Sequence, residues 1–141
     1  MLYYILAVGD VVGEPGLRHL EKNLRPVQKL KNISFTVVNG ENASGVGLTR
    51  DQAERIRDAG ADVVTLGNHA FGKIQISDFL DDTPWILRPA NYTGRAPGHG
   101  CGIFDLGGVS IRVLNLIGRC GLAWNADNPF TVADRFLKEG N

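Results

Sequence analysis

The sequence predicts an α/β domain in which a mostly parallel sheet is followed by an antiparallel hairpin. Short apolar, β-rich runs alternate with segments of helical spacing in the first two thirds of the chain, an order typical of parallel strands joined by right-handed crossovers. Two later apolar runs flank Gly107-Gly108, which indicates a hairpin with a two-residue turn. A length of 141 residues is that of one ordinary domain.

The first two strands and their helices follow from local sequence. The run from Leu2 to Val8 is continuously apolar, which predicts a strand buried on both faces, and Pro15 then suits the first turn of a helix. The run from Ile33 to Asn39 predicts the second strand. Thr49 with Gln52 three residues later forms a capping-box pattern, which predicts the start of the second helix.

The same reasoning gives the rest of the chain. It predicts a third strand (Ala61 to Leu66), a third helix (about Ile74 to Asp81) and a short fourth strand (Trp85 to Leu87). It then predicts the two hairpin strands (Ile103 to Leu106 and Val109 to Ile117) and a last helix that begins near Phe130.

Composition argues against several classes of protein. Fifteen Lys and Arg balance fifteen Asp and Glu, so nothing attracts the chain globally to a polyanion, and stable nucleic-acid binding is not expected. No apolar run approaches the ~20 residues that span a bilayer, so we expect a cytoplasmic protein without membrane association. The two cysteines, Cys101 and Cys120, are too few for a disulfide scaffold and are expected to be buried.

Polar side chains follow three successive predicted strands. Asp10 follows the first, Glu41 the second and Asn68-His69 the third, each about one βαβ unit apart. The carboxyl ends of parallel strands form a common crevice, so these groups should converge. Two carboxylates, an amide oxygen and an imidazole suit divalent manganese, magnesium, iron or zinc at a hydrolytic site. Each loop alone could be a turn or a solvated cap, but their joint occurrence favours a site.

Four motifs resemble those of the YmdB-type branch of the calcineurin-like metallophosphoesterases. They are Gly9-Asp10-Val-Val-Gly13, Asn39-Gly-Glu41-Asn42, Gly67-Asn68-His69 and Arg88-Pro-Ala-Asn91. The resemblance extends over essentially the whole chain, and it implies the α/β sandwich fold of that superfamily. It also implies a metal-dependent phosphodiesterase whose substrates are cyclic nucleotides, notably 2',3'-cyclic ones, or related small phosphodiesters.

The resemblance implies a role for each candidate residue. Two divalent metal ions would be held by Asp10 on one metal, Glu41 between both, and Asn68 on the second through its amide oxygen. His69 would not bind metal but would protonate the leaving oxygen. Asn42 would contact the phosphate or support the metal ligands.

The resemblance further implies a longer protein. Members of the family run to roughly twice this length, and their later half supplies three histidine ligands, including a Gly-x-His-x-His motif that the three histidines of this chain do not form. We therefore expect residues 1–141 to be the N-terminal part of a single metallophosphoesterase domain, weakly active alone and prone to form homo-oligomers through exposed apolar surface. Two alternatives stay open: a non-catalytic α/β module that binds nucleotides or phosphate, and a truncated regulatory derivative.

Overall fold

The structure is a computed structural model that describes residues 2–73, 75–93, 95–122 and 124–139. The elements in chain order are β1 (Tyr4–Val8), α1 (Gly13–Lys31), β2 (Ile33–Asn39), α2 (Arg50–Ala59), β3 (Val63–Thr65), α3 (Ile76–Asp81), β4 (Ile86–Leu87), β5 (Cys101–Asp105), β6 (Ser110–Leu114) and α4 (Pro129–Lys138). Strands β1 to β4 form a parallel sheet in sequence order, and β5 pairs with β6 in a separate antiparallel hairpin.

The predicted α/β fold class is confirmed. The capping box at Thr49 is present with both of its hydrogen bonds, and the turn glycines Gly107 and Gly108 have φ angles of 74° and 106°, as a two-residue hairpin turn requires. The third helix begins at Ile76, whereas its predicted start at Ile74 lies outside the described residues.

The three helices between the parallel strands cover one face of the sheet. Because the strands follow each other in sequence order, right-handed crossovers place every connecting helix on the same side. The apolar core there is built from strand and helix residues, among them Val38, Val64, Ile86, Leu17, Leu20, Leu24, Ile56 and Leu80. This packing fixes the positions of the strand ends.

The hairpin covers part of the opposite face. Phe35, Val63 and Leu87 are buried there against apolar side chains of β5 and β6. The rings of Phe35 and Phe104 lie 5.4 Å apart. The sheet is therefore enclosed on both sides at β2, β3 and β4.

The prediction that the first strand is buried on both faces is wrong. Tyr4 and Ile5 are 48% and 57% exposed. Strand β1 lies at an end of the sheet, and the hairpin packs over β2, β3 and β4 without covering it. The uncovered apolar face fits the expectation of self-association, which stays a prediction.

The prediction that the cysteines are buried is also wrong. Both Cys101 and Cys120 are exposed. Cys101 is on the outward side of β5, where side chains alternate between exposed and half-buried, and Cys120 lies in the connection between β6 and α4.

An ion-pair network joins α1 to α2. Arg55 contacts Glu21 at 2.7 Å and Glu14 at 2.9 Å, and Arg18 contacts Glu14 at 3.0 Å. Hydrogen bonds from Arg55, and secondly from Arg18, lower the pKa of Glu14 to about 2.

In the described part of the chain, no helix combines the length and apolar character needed to cross a bilayer.

A second polar group, here called the Thr36 cluster, comprises Gln28, Thr36, Gly60 and Asp62. The Gln28 amide donates to the Thr36 hydroxyl and to the Gly60 carbonyl, both at 2.8 Å. The Asp62 carboxylate accepts from the backbone N–H of Thr36 at 2.7 Å. The cluster ties α1 to the entry of β3 and satisfies Thr36, which is fully buried.

Candidate active site at the carboxyl ends of the strands

The candidate residues all follow the carboxyl ends of parallel strands. Here the strand-end site means Asp10, Glu41, Asn42, Asn68 and His69. Backbone hydrogen bonds join its loops: Val11 N–H donates to the Asn39 carbonyl at 3.0 Å, and Gly13 N–H donates to the Asn42 carbonyl at 2.9 Å. Main-chain hydrogen bonds therefore fix the loops after β1 and β2 to each other.

A continuous line of side-chain contacts runs from Asp10 through Asn42 to His69. The Asn42 Nδ2 lies 2.9 and 3.1 Å from the two carboxylate oxygens of Asp10, and the Asn42 Oδ1 lies 3.0 Å from the Nδ1 of His69. A carboxylate only accepts, so the Asn42 NH2 group must face Asp10, and its oxygen must face the imidazole. The Nδ1 of His69 therefore carries the proton, and the free nitrogen of a neutral ring is Nε2.

Glu41 lies beside this line with its carboxylate buried. The residue is 7% exposed, and its Oε1 lies 3.3 Å from the Nδ1 of His69. Burial raises the pKa of Glu41, and the negative charge of Asp10 adds to this, while His69 opposes it. A cation bound next to Glu41 would offset both the burial and the repulsion from Asp10.

Gly67 is required by the position of Glu41. A Cβ atom added to Gly67 would lie 1.7 Å from the Oε2 of Glu41 and 2.7 Å from its Cδ. No side chain fits between the loop after β3 and this carboxylate. The glycine of the Gly67-Asn68-His69 motif therefore has a steric role within the site.

Among the described residues, the side chain of Asn68 is joined to the other candidates by neither a hydrogen bond nor an ion pair. The residue is held by its backbone, since the hydroxyl of Tyr92 lies 3.4 Å from its carbonyl oxygen and 3.1 Å from that of Gly67. Asn115 holds the nearby Leu66, with its Nδ2 2.6 Å from the Leu66 carbonyl oxygen. Later segments of the chain thus fix the loop that carries Asn68 and His69.

Sequence reasoning missed the aromatic residues beside this loop. The Tyr92 ring stacks on Trp124 at 4.3 Å with an interplanar angle of 25° and meets the edge of Phe71 at 5.5 Å. Burial, and secondly the charge of Glu41, raises the pKa of Tyr92, so its hydroxyl is a donor at neutral pH. The one available signal was the adjacent Arg88-Pro-Ala-Asn91 motif, to which the sequence pattern assigned no role.

The oxygen atoms of the strand-end site are of the type that binds divalent metal ions, but they do not complete a coordination sphere. Carboxylate and amide oxygens from Asp10, Glu41 and Asn68 are the hard ligands that magnesium and manganese prefer. Among the described residues, however, no three His, Cys, Asp or Glu side chains are arranged to hold a metal ion. Further ligands would be needed beside those of the strand-end site.

Comparison with known proteins gives consistent similarities. A family described as YmdB-like protein matches residues 6–141. The chain is 43% identical over 137 residues to a 2',3'-cyclic-nucleotide 2'-phosphodiesterase of Bacillus subtilis (strain 168), covering 96% of this chain and 51% of that protein. It thus spans about half the length of the curated relatives it matches.

Two crystal structures share the fold. A hypothetical protein from Thermus thermophilus superposes with a TM-score of 0.86 at 35% identity, covering 96% of this chain and 52% of that one. A structure described as a novel phosphatase from Mycoplasma pneumoniae superposes with a TM-score of 0.90 at 25% identity, covering 99% of this chain and 52% of that one.

Proposed function

The chain belongs to the YmdB-like family, and from this premise we propose that the strand-end site is part of the active site of a metal-dependent phosphodiesterase. The proposed substrates are 2',3'-cyclic nucleotides or related small phosphodiesters, in line with the name of the Bacillus subtilis relative. The observation that carries the proposal is the line of contacts from Asp10 through Asn42 to His69 beside the buried carboxylate of Glu41.

Three residues would hold the metals. The carboxylates of Asp10 and Glu41 and the amide oxygen of Asn68 would bind two divalent ions, which could be iron, manganese, magnesium or zinc, with Glu41 shared between them. When bound, such ions lower the pKa of water and neutralise the charge that develops on a phosphoryl group. The raised pKa of Glu41 supports this assignment, because a buried carboxylate near a second one is stabilised by a cation.

His69 would supply the proton to the leaving oxygen. Its Nδ1–H is held by the Asn42 oxygen, with Glu41 at 3.3 Å, so Nε2 is the nitrogen that can carry a transferable proton. The imidazole is 39% exposed, which allows a substrate to reach it. As a hydroxide ion bonds to phosphorus and the bond between phosphorus and the ribose oxygen breaks, the imidazolium would give its Nε2 proton to that oxygen and be left neutral, with its remaining proton on Nδ1.

Asn42 would act chiefly by holding its two neighbours. Its amide group already bonds to Asp10 and His69. Both contacts to Asp10 come from one nitrogen to one carboxylate, which a single N–H can serve, so the second N–H is left for the phosphate contact that the family resemblance implies. The hydrogen bond to His69 supports a further role, that of fixing the imidazole in one tautomer.

The test uses the full-length protein with Mn²⁺ and 2',3'-cyclic AMP. We expect His69→Ala to lower turnover roughly 100-fold or more, the usual contribution of a general acid, while the metal content stays at the wild-type level. The control is His99→Ala, because His99 is exposed and contacts the Asp81 backbone on another part of the surface. Loss of metal in His69→Ala would show that His69 is a ligand and that its assigned role is wrong.

The non-catalytic alternative predicts a different result. A wild-type protein that binds the nucleotide but fails to hydrolyse it with Mn²⁺, Mg²⁺, Fe²⁺ or Zn²⁺ would contradict the proposed activity and favour a binding module.

A further inference from the structure

Three consecutive carbonyl groups after β3 accept hydrogen bonds from side chains in later segments of the chain. Asn115 donates to the Leu66 carbonyl, and the Tyr92 hydroxyl lies 3.1 and 3.4 Å from the carbonyl oxygens of Gly67 and Asn68. Asn115 also donates to the Leu87 carbonyl at 2.7 Å, which joins the ends of β3 and β4. Of these donors, Tyr92 is the one that reaches the peptide units directly before His69.

Tyr92 is itself held in place by two aromatic rings. Trp124 stacks on one face of its ring at 4.3 Å, and Phe71 meets it edge-on with an interplanar angle of 86°. Stacked and edge-on aromatic pairs of this kind favour one orientation of each ring. The hydroxyl therefore reaches the loop from a fixed position.

The strand-end site has little tolerance for movement of this loop. The position of Gly67 leaves no room for even a methyl group against the Glu41 carboxylate, and the His69 Nδ1 lies within hydrogen-bond distance of Asn42 Oδ1. A rotation of the Gly67–Asn68 peptide would move the imidazole away from Asn42 and Glu41 together. A displacement of about 1 Å is enough to lower a catalytic rate by about 100-fold.

We propose that Tyr92 is a positioning residue of the strand-end site. Its hydroxyl holds the Gly67–Asn68 backbone and thereby keeps the Nδ1 of His69 within hydrogen-bond distance of the Asn42 Oδ1. Its consequence for catalysis rests on the proposed function, whereas its consequence for the geometry of His69 does not. Trp124 supports the same contact by keeping the Tyr92 ring in place.

The direct test is the ¹⁵N NMR signature of the imidazole nitrogens in the 141-residue chain, which has three histidines. In the wild type we expect His69 to show the tautomer protonated at Nδ1. Tyr92→Phe keeps the ring and removes the donor, so we expect the His69 nitrogen shifts to move towards a mixture of tautomers, with His19 and His99 unchanged. Tyr4→Phe is the matched control, because Tyr4 is exposed on β1, and it should leave all three histidines unchanged.

A kinetic measurement in the full-length protein completes the test. We expect Tyr92→Phe to lower kcat about 10-fold, as loss of a supporting hydrogen bond around a metal site does, with KM within about twofold of wild type. Unchanged His69 shifts in Tyr92→Phe would overturn the inference. Shifted His69 signals in a protein whose wild type lacks activity would support the positioning role and contradict the proposed function.

A second variant decides the question if Tyr92→Phe does not fold. Trp124→Ala keeps the hydroxyl but removes its stacking partner, so we expect the His69 shifts to move in the same direction by a smaller amount. Trp85→Phe is the control, because Trp85 packs against Phe79 away from Tyr92. His69 shifts that stay at wild-type values in Trp124→Ala would overturn the inference.

Discussion

The Thr36 cluster and the strand-end site are both polar groups attached to strands β2 and β3, yet they differ in how their hydrogen bonds are used. In the Thr36 cluster the carboxylate of Asp62 accepts from a backbone N–H, and Gln28 donates to a hydroxyl and a carbonyl. In the strand-end site two carboxylates lie near each other, and the pKa of Glu41 is raised by burial and by the charge of Asp10.

The difference distinguishes polar groups that stabilise the fold from polar groups for which we propose a catalytic role. The Thr36 cluster matches donors with acceptors within the chain, so its free-energy contribution is already present in the folded protein. The strand-end site also contains matched donors, but it buries the carboxylate of Glu41 near the charge of Asp10, which lowers stability unless a cation offsets the repulsion. Substitutions in the first region should therefore change stability, and those in the second should change activity.

Of the three substitutions that compare the two regions and the helix surface, Gly67→Ala should give the largest effect. The added Cβ would lie 1.7 Å from the Glu41 Oε2, so the carboxylate or the loop must move, and we expect turnover on 2',3'-cyclic AMP to fall at least ~100-fold. Gly118→Ala is the control, since a Cβ there meets no atom within 4 Å. Wild-type turnover in a folded Gly67→Ala variant would show that the position of Glu41 does not matter for activity.

Thr36→Val tests the other side of the comparison. The variant keeps the shape of the side chain but removes the acceptor for the Gln28 amide, so we expect the free energy of unfolding to fall by about 1 kcal/mol. Chemical denaturation of the 141-residue chain measures the change, and turnover of the full-length protein should equal that of the wild type. A large loss of turnover without a loss of stability would erase the distinction between the two regions.

Arg55→Gln should give the smallest effect, because its ion pairs with Glu14 and Glu21 are partly exposed. The pKa of Glu14 is lowered from 4.5 to about 2 in the folded chain, so this contribution to stability is complete above pH 4.5 and is lost as the pH falls through 2. We expect Arg55→Gln to lower Tm slightly at pH 7, and we expect this difference from the wild type to shrink as the pH falls towards 2. A Tm difference that stays constant between these pH values would mean that the ion pairs contribute nothing. Arg50→Gln, which removes a single exposed pair with Glu54, is the control for loss of surface charge.

The sequence was sufficient to predict the fold class and the place of the candidate site. Asp10, Glu41 and His69 could be grouped because parallel strands bring their carboxyl ends to one edge, whatever the detailed packing. The exposure of Ile5 could not be predicted, because it depends on which later segment covers β1. Tyr92 could not be predicted either, because its hydroxyl bonds to backbone carbonyls 24 and 25 residues away, and such contacts leave no pattern in the side chains.

The most direct test of the central claim is the metal content of the purified full-length protein, measured by elemental analysis after loading with Mn²⁺. We expect two divalent ions per chain in the wild type and in Thr36→Val, and chiefly one ion lost in Asp10→Asn. In Glu41→Gln we expect weakened binding at both metal sites and no phosphodiester hydrolysis, because this carboxylate would be shared between the two ions. A Glu41→Gln protein that keeps two metals and full activity would contradict the assignment of the strand-end site.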